Sequence, residues 1–144
     1  MDVKGSTKTN PYITFNGNCK EAMCFYKKAT GGDLFVMPFE GSPVEVPEGY
    51  EQKVLHSTLV FGGATIMASD SLPGQEVDPG NNCHIMLGCD DLEDAEVLFN
   101  NLSHDGTIVC PFSDSFWGAR FGMFTDKFGI SWMVHCDCKP EDSC

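Results

Sequence analysis

Three histidines and one arginine are the side chains in this sequence best placed to do chemistry. His56, His84 and His135 all fall on predicted strands. Imidazoles converging from several strands can hold a divalent ion when a carboxylate or further donor completes the set. The blander reading is a single hydrogen bond for each ring at a strand end. Arg120 follows Phe116-Trp117-Gly118-Ala119. A guanidinium there could grip a carboxylate or phosphate with two parallel bonds, or pair internally with Asp114 or Asp126. Phe116 and Trp117 beside it could wall a planar or apolar ligand, or merely cap the core where a strand begins. His104, near a helix end, reads as a surface residue.

Other chemistries have less support. The run His135-Cys136-Asp137-Cys138 could take a soft metal, but its cysteines are one residue apart and lack a second pair, which zinc sites usually need. Cys83 adjoins His84, yet neighbours on a strand point to opposite faces. No Gly-x-Ser-x-Gly elbow occurs, so covalent catalysis has no obvious nucleophile. The remaining thiols among the eight cysteines are expected to be reduced and mostly to fill the core as small hydrophobes.

Charge excludes further classes. The formal net charge is −12 with no basic run, so phosphate backbones and anionic membranes are disfavoured as partners. No stretch approaches the roughly 18 apolar residues of a membrane span. Residues 1–10 are polar and read as a flexible lead-in without the apolar core of an export signal, which implies a cytoplasmic protein.

The elements that must position these side chains repeat. A first helix is predicted from Cys19 to Ala29, with Ala22, Phe25, Tyr26 and Ala29 on its apolar face, Asn18 and Glu21 as a capping box, and Gly31-Gly32 as its stop. A second is predicted from about Leu92 to Ser103, capped by Asp91, with Leu92, Ala95, Leu98, Phe99 and Leu102 on one face and Gly106 beyond it. A strand candidate precedes each helix, Tyr12 to Phe15 and His84 to Leu87, and three follow. The pattern is β-α-β-β-β, twice. Phe25 and Gly32 match Phe99 and Gly106 at one offset, and the Gly62-Gly63 turn matches a longer turn ending at Gly129. The expected organisation is a first module over 11–71, a turn-rich linker over 72–82, a second module over 83–136 and a tail over 137–144. This is an α+β fold whose two modules form a curved mixed sheet around a cleft, with helices on the outer faces. The acidic loop from Glu40 to Tyr50 could gate that cleft or be a solvated connection.

Several motifs carry a family resemblance. Asp114 through Gly122, followed by Thr125-Asp126-Lys127-Phe128-Gly129-Ile130-Ser131-Trp132, resembles the signature of PhnB-like proteins, also labelled demethylubiquinone methyltransferase-like. Pro11-Tyr12-Ile13-Thr14-Phe15-Asn16-Gly17, Ala68-Ser69-Asp70 and Gly80-Asn81-Asn82 agree with it in order and spacing. The likeness extends from Asn10 to His135 and implies the vicinal-oxygen-chelate superfamily, the fold of glyoxalases, bleomycin-resistance proteins and certain dioxygenases. Fold alone does not choose among those activities. A methyl donor of nucleotide type would want a glycine-rich strand-to-helix turn, whereas Gly62-Gly63 joins two strands.

The resemblance also implies where metal-dependent members place their ligands. Those positions correspond to Pro11, Met67, His84 and Met133, and only His84 is a suitable donor for a hard divalent ion. The first expectation is therefore a metabolite- or drug-binding protein without an intact metal centre or other cofactor. Its cleft would be lined by His56, Met67, His84, Phe116, Trp117, Arg120 and Met133. The alternative is a metal-dependent lyase or isomerase of glyoxalase or dioxygenase type with a non-standard site around His84, to which His56 and His135 could contribute. Uncovered sheet faces and edges imply a homodimer.

Overall fold

The computed structural model describes residues 1–137, so Cys138 and Cys144 lie outside the described residues. The chain divides into two units, one spanning Met1–Val77 and the other beginning at Asp78. Each is a four-stranded mixed sheet carrying one helix.

In the first unit, β1 (Tyr12–Phe15) leads into α1 (Cys19–Thr30), followed by β2 (Asp33–Pro38), β3 (Val54–Phe61) and β4 (Ala64–Asp70). The strand order is β1-β4-β3-β2, with β1 parallel to β4 and the other pairs antiparallel. In the second, β5 (Ile85–Cys89), α2 (Leu92–Leu102), β6 (Thr107–Asp114), β7 (Arg120–Thr125) and β8 (Ser131–Cys136) repeat that order as β5-β8-β7-β6. His84 lies one residue before β5, not within the strand as expected.

The repeated glycines have a steric cause. A Cβ on Gly32 would lie 2.6 Å from the carbonyl oxygen of Val60, and one on Gly106 would meet that of Thr125. Helix-to-strand passage in each unit thus brings backbone against the end of the third strand, and only glycine fits. The β3–β4 hairpin pairs Phe61 with Ala64, leaving Gly62 and Gly63 as a two-residue turn with φ of +53° and +85°. Two successive positive φ values define the turn that matches strand twist.

Each helix covers one sheet face. Cys19, Ala22, Met23, Tyr26 and Ala29 of α1 are buried with Ile13, Phe15, Leu59, Ile66 and Ala68 of the sheet. Phe25, expected on the buried face, is only half-buried, and Met23 takes the inner position. In the second unit Ala95, Phe99 and Leu102 of α2 are buried with Leu87, Phe124, Trp132 and Val134. Phe99 meets Phe124 edge-on at 5.2 Å, and Phe124 stacks on Trp132. The thiols divide differently from the core role expected for most of them. Of the six described cysteines only Cys19 and Cys136 are buried, while Cys24 and Cys83 are exposed.

The helix starts use different devices. Asp91 caps α2 locally, its carboxylate accepting from Glu93 and Asp94 N–H. Asn18 makes no such side-chain bond in α1, which corrects the capping-box expectation. The buried Asp70 carboxylate at the end of β4 serves instead. Its Oδ1 accepts from Gly17 and Cys19 N–H, and its Oδ2 from Val54 N–H, each at 2.9 Å. A negative charge at an N-terminus also complements the helix dipole.

Candidate functional site

Because strand residues alternate, one face of each sheet carries the helix and the other does not. On the helix-free face of the first unit, one cross-strand row runs Tyr12, Met67, Thr58, Phe35, and Met37 lies opposite His56 in the neighbouring row. The imidazole of His56 is held at both nitrogens. Tyr12 Oη lies 3.1 Å from Nδ1, Thr58 Oγ1 lies 3.1 Å from Nε2, and the phenol ring stacks on the imidazole at 5.7 Å. Tyr12 and Thr58 were not singled out from the sequence. Their shared alternation with Met67 was the available signal, but it shows a common face and not a contact.

The helix-free face of the second unit is rich in thioethers and rings. Its registered positions include Met86, Met133, Phe121, Met123 and His135, and none is Lys, Arg, Asp or Glu. Rings run from the β6–β7 connection into it: Phe116 to Trp117 at 5.1 Å, Trp117 to Phe121 at 5.7 Å, and Phe121 to His135 at 6.5 Å. Met86 is 57% exposed, Trp117 53% and Phe116 97%. His84 is exposed, and His135 lies 3.7 Å from the Asp137 carboxylate. His104, also exposed, pairs with Asp105.

Arg120 lies on the other face. It shares the parity of the buried Gly122 and Phe124, so it points to the helix side, where α2 and β6 supply its partners. Its Nη1 donates to Glu96 Oε1 at 3.0 Å, its Nε donates to Asp114 Oδ1 at 3.1 Å, and its guanidinium lies over the Phe112 ring. Asp126 is engaged elsewhere, accepting from Phe128 and Ile130 N–H and from Trp132 Nε1. Arg120→Ala is therefore expected to lower stability by about 1–2 kcal/mol, a modest sum because both carboxylates are half exposed, and to leave small-molecule binding unchanged. Thermal melting and ligand titration of the variant check both halves.

The loop between β2 and β3 is tied down. Phe39 N–H donates to Lys53 O, Glu40 N–H to Glu51 O, and Tyr50 Oη to the carbonyl of Ser71 beyond β4. Burial raises the Tyr50 hydroxyl above its ordinary range.

A family model described as 3-demethylubiquinone-9 3-methyltransferase matches residues 7–135. The chain belongs to this family. Protein PA1353 from Pseudomonas aeruginosa is 43% identical, with a TM-score of 0.81 over 92% of this chain and 98% of that one. A protein from Bacillus cereus described as a putative 3-demethylubiquinone-9 3-methyltransferase, PhnB protein, is 24% identical, with a TM-score of 0.73 over 90% and 99%. A glyoxylase/bleomycin resistance protein/dioxygenase domain from Frankia sp. shares the fold alone, with 13% identity and a TM-score of 0.67 over 95% and 96%. The chain is thus PhnB-like, with the fold that glyoxalase/bleomycin resistance/dioxygenase proteins share.

The metal positions that the resemblance implies can be tested against this chain. Pro11 has no side-chain donor, and its carbonyl already accepts Met67 N–H at 3.0 Å. Met67 and Met133 sit half-buried on the helix-free faces as soft thioethers. These residues do not fit a hard divalent ion, which needs several charged or imidazole donors. Among the described residues neither unit by itself groups three His, Cys, Asp or Glu side chains that could hold a metal.

Proposed function

We propose that this PhnB-like protein binds a small apolar or aromatic metabolite or drug on the helix-free faces of its sheets, without a divalent metal. The observation that carries this reading is the face of the second unit, which lacks Lys, Arg, Asp and Glu. In a chain of net charge −12, its registered positions hold thioethers and rings at the centre, with small and hydroxyl residues and His135 around them. Thioethers and aromatic edges adapt to apolar ligands of varied shape. The family's name suggests methyl transfer instead. Against that, the β1-to-α1 turn carries a single glycine, Gly17, and the β5-to-α2 turn carries Asp90 and Asp91, so neither offers the glycine-rich cradle a nucleotide-type donor would use.

Two tryptophans make the test direct. Trp132 is fully buried and Trp117 is exposed beside Phe121, so ligand-induced quenching should report Trp117 alone. Saturable quenching by an apolar aryl probe, lost in Phe121→Ala, is the expected result. Its absence across a panel of apolar and aromatic metabolites would overturn the reading. Elemental analysis of protein purified without tag or chelator should find far less than one metal per chain. One equivalent that disappears in His84→Ala would establish the metal-dependent alternative.

We further propose a homodimer in a reducing compartment such as the cytoplasm. Ile108 and Val109 on the edge strand β6 are exposed, the kind of surface a second copy covers. Sedimentation should give twice 15.8 kDa, and a 15.8 kDa species at micromolar concentration would refute it. Burial pushes the Cys19 thiol up to about 12 and the Cys89 thiol up to about 11, so both stay protonated, as suits thiols kept reduced. No helix among the described residues is long and apolar enough to cross a membrane.

A further inference from the structure

We propose that Tyr12, His56 and Thr58 form a hydrogen-bond-donating site for the carbonyl oxygen of a neutral, apolar-bodied ligand. The inference rests on the reading that the helix-free faces bind small molecules, and it names the ligand chemistry the first unit would select.

A neutral imidazole donates from one nitrogen and accepts at the other. If Nε2–H donates to Thr58 Oγ1, then Nδ1 accepts from Tyr12 Oη–H, and the Thr58 hydroxyl hydrogen is left over. In the other tautomer Nδ1–H donates to Tyr12 Oη, Nε2 accepts from Thr58, and the Tyr12 hydrogen is left over. Either way a chain of two hydroxyls and one ring, already bonded internally at 3.1 Å on each side, keeps one O–H to give away. It therefore seeks an acceptor.

The surroundings narrow that acceptor. Met67 lies between Tyr12 and Thr58 in the row, Phe35 flanks Thr58 and Met37 lies opposite His56, so thioethers and a ring flank the donor on this side, with the Thr14 and Ser69 hydroxyls in the neighbouring row. Asp33 at the row beyond is the one acid on the registered positions of that face, and no Lys or Arg stands there beside His56 to offset an anion. A carboxylate or phosphate would meet a chain of net charge −12 without a Lys or Arg partner. A ketone or aldehyde oxygen accepts the single hydrogen without adding charge, while its apolar body contacts the thioethers and Phe35.

The test uses a matched pair of probes, 2-acetylnaphthalene and 2-ethylnaphthalene, which differ chiefly in the carbonyl, titrated by calorimetry into the full chain. The ketone is expected to bind about five-fold more tightly, the scale of one net hydrogen bond. Tyr12→Phe and Thr58→Val should each shrink that preference, and the double variant should abolish it, read as the ratio of the two probes' affinities for the same protein. Equal binding of both probes to the wild type would overturn the donor site while leaving the binding reading intact. Binding of neither would overturn both. A ketone preference that survives in the double variant, shown folded by its unchanged melting transition, would move the donor elsewhere and refute the assignment.

Discussion

Replacing Asp70 by alanine is expected to cost about 3–6 kcal/mol and to lower the melting temperature by roughly 10 °C or more. The carboxylate is buried and accepts three backbone N–H groups, those of Gly17, Cys19 and Val54, from two separate segments of the first unit. Each donor stranded away from water costs about 1–3 kcal/mol, and the start of α1 would also lose the negative charge opposite its dipole. Asp70→Asn should fall between wild type and alanine, since one amide oxygen can still accept while the amide nitrogen opposes a donor. Calorimetric melting of the three proteins checks the order. A loss under 1 kcal/mol in Asp70→Ala would mean that other groups hold the helix start.

Trp132→Ala is expected to be about as damaging. The side chain is fully buried between α2 and the sheet, and removing an indole there should cost about 3–5 kcal/mol in lost burial and residual cavity. Its Nε1 also donates to Asp126 Oδ2 at 2.8 Å, a bond to a carboxylate worth about 1.5–3 kcal/mol. Trp132→Phe separates the two effects. It keeps a ring able to stack on Phe124 and loses only the hydrogen bond and part of the volume, so about half the damage should remain. Denaturant unfolding measures both. Equal losses in the two variants would show that the hydrogen bond, and not the packing, carries the site.

Asp70 and Trp132 belong to unlike devices in the two modules. The β3–β4 hairpin closes with two glycines, whereas the β7–β8 connection is longer and organised by Asp126, which receives the N–H groups of Phe128 and Ile130. The first helix is capped from a distant strand and the second from its own flank. One topology is therefore held by different local chemistry in each half.

The sequence by itself determined the element order, the duplication and the family. Those features rest on local signals: helical periodicity, paired glycines between strands, and motifs in fixed order. Gly32 and Gly106 were recognisable as equivalents before the carbonyls that exclude a side chain from them were visible. Tertiary structure decided which face each strand residue occupies. Arg120 was read as a cleft candidate or as an internal ion pair with Asp114 or Asp126, and parity decided for the pair with Asp114: the strand begins at Arg120 itself, which follows the buried Gly122 and Phe124 towards α2. Strand parity can be counted only once the first paired residue is known, and register shifts at Met37/Pro38 and along β6 alter the count. Asp70 as the cap of α1, 51 residues from Cys19, and Tyr12 against His56, 44 residues away, left no local trace. Contacts of that range exist only after β1 has paired in parallel with β4, and no window of sequence contains that pairing.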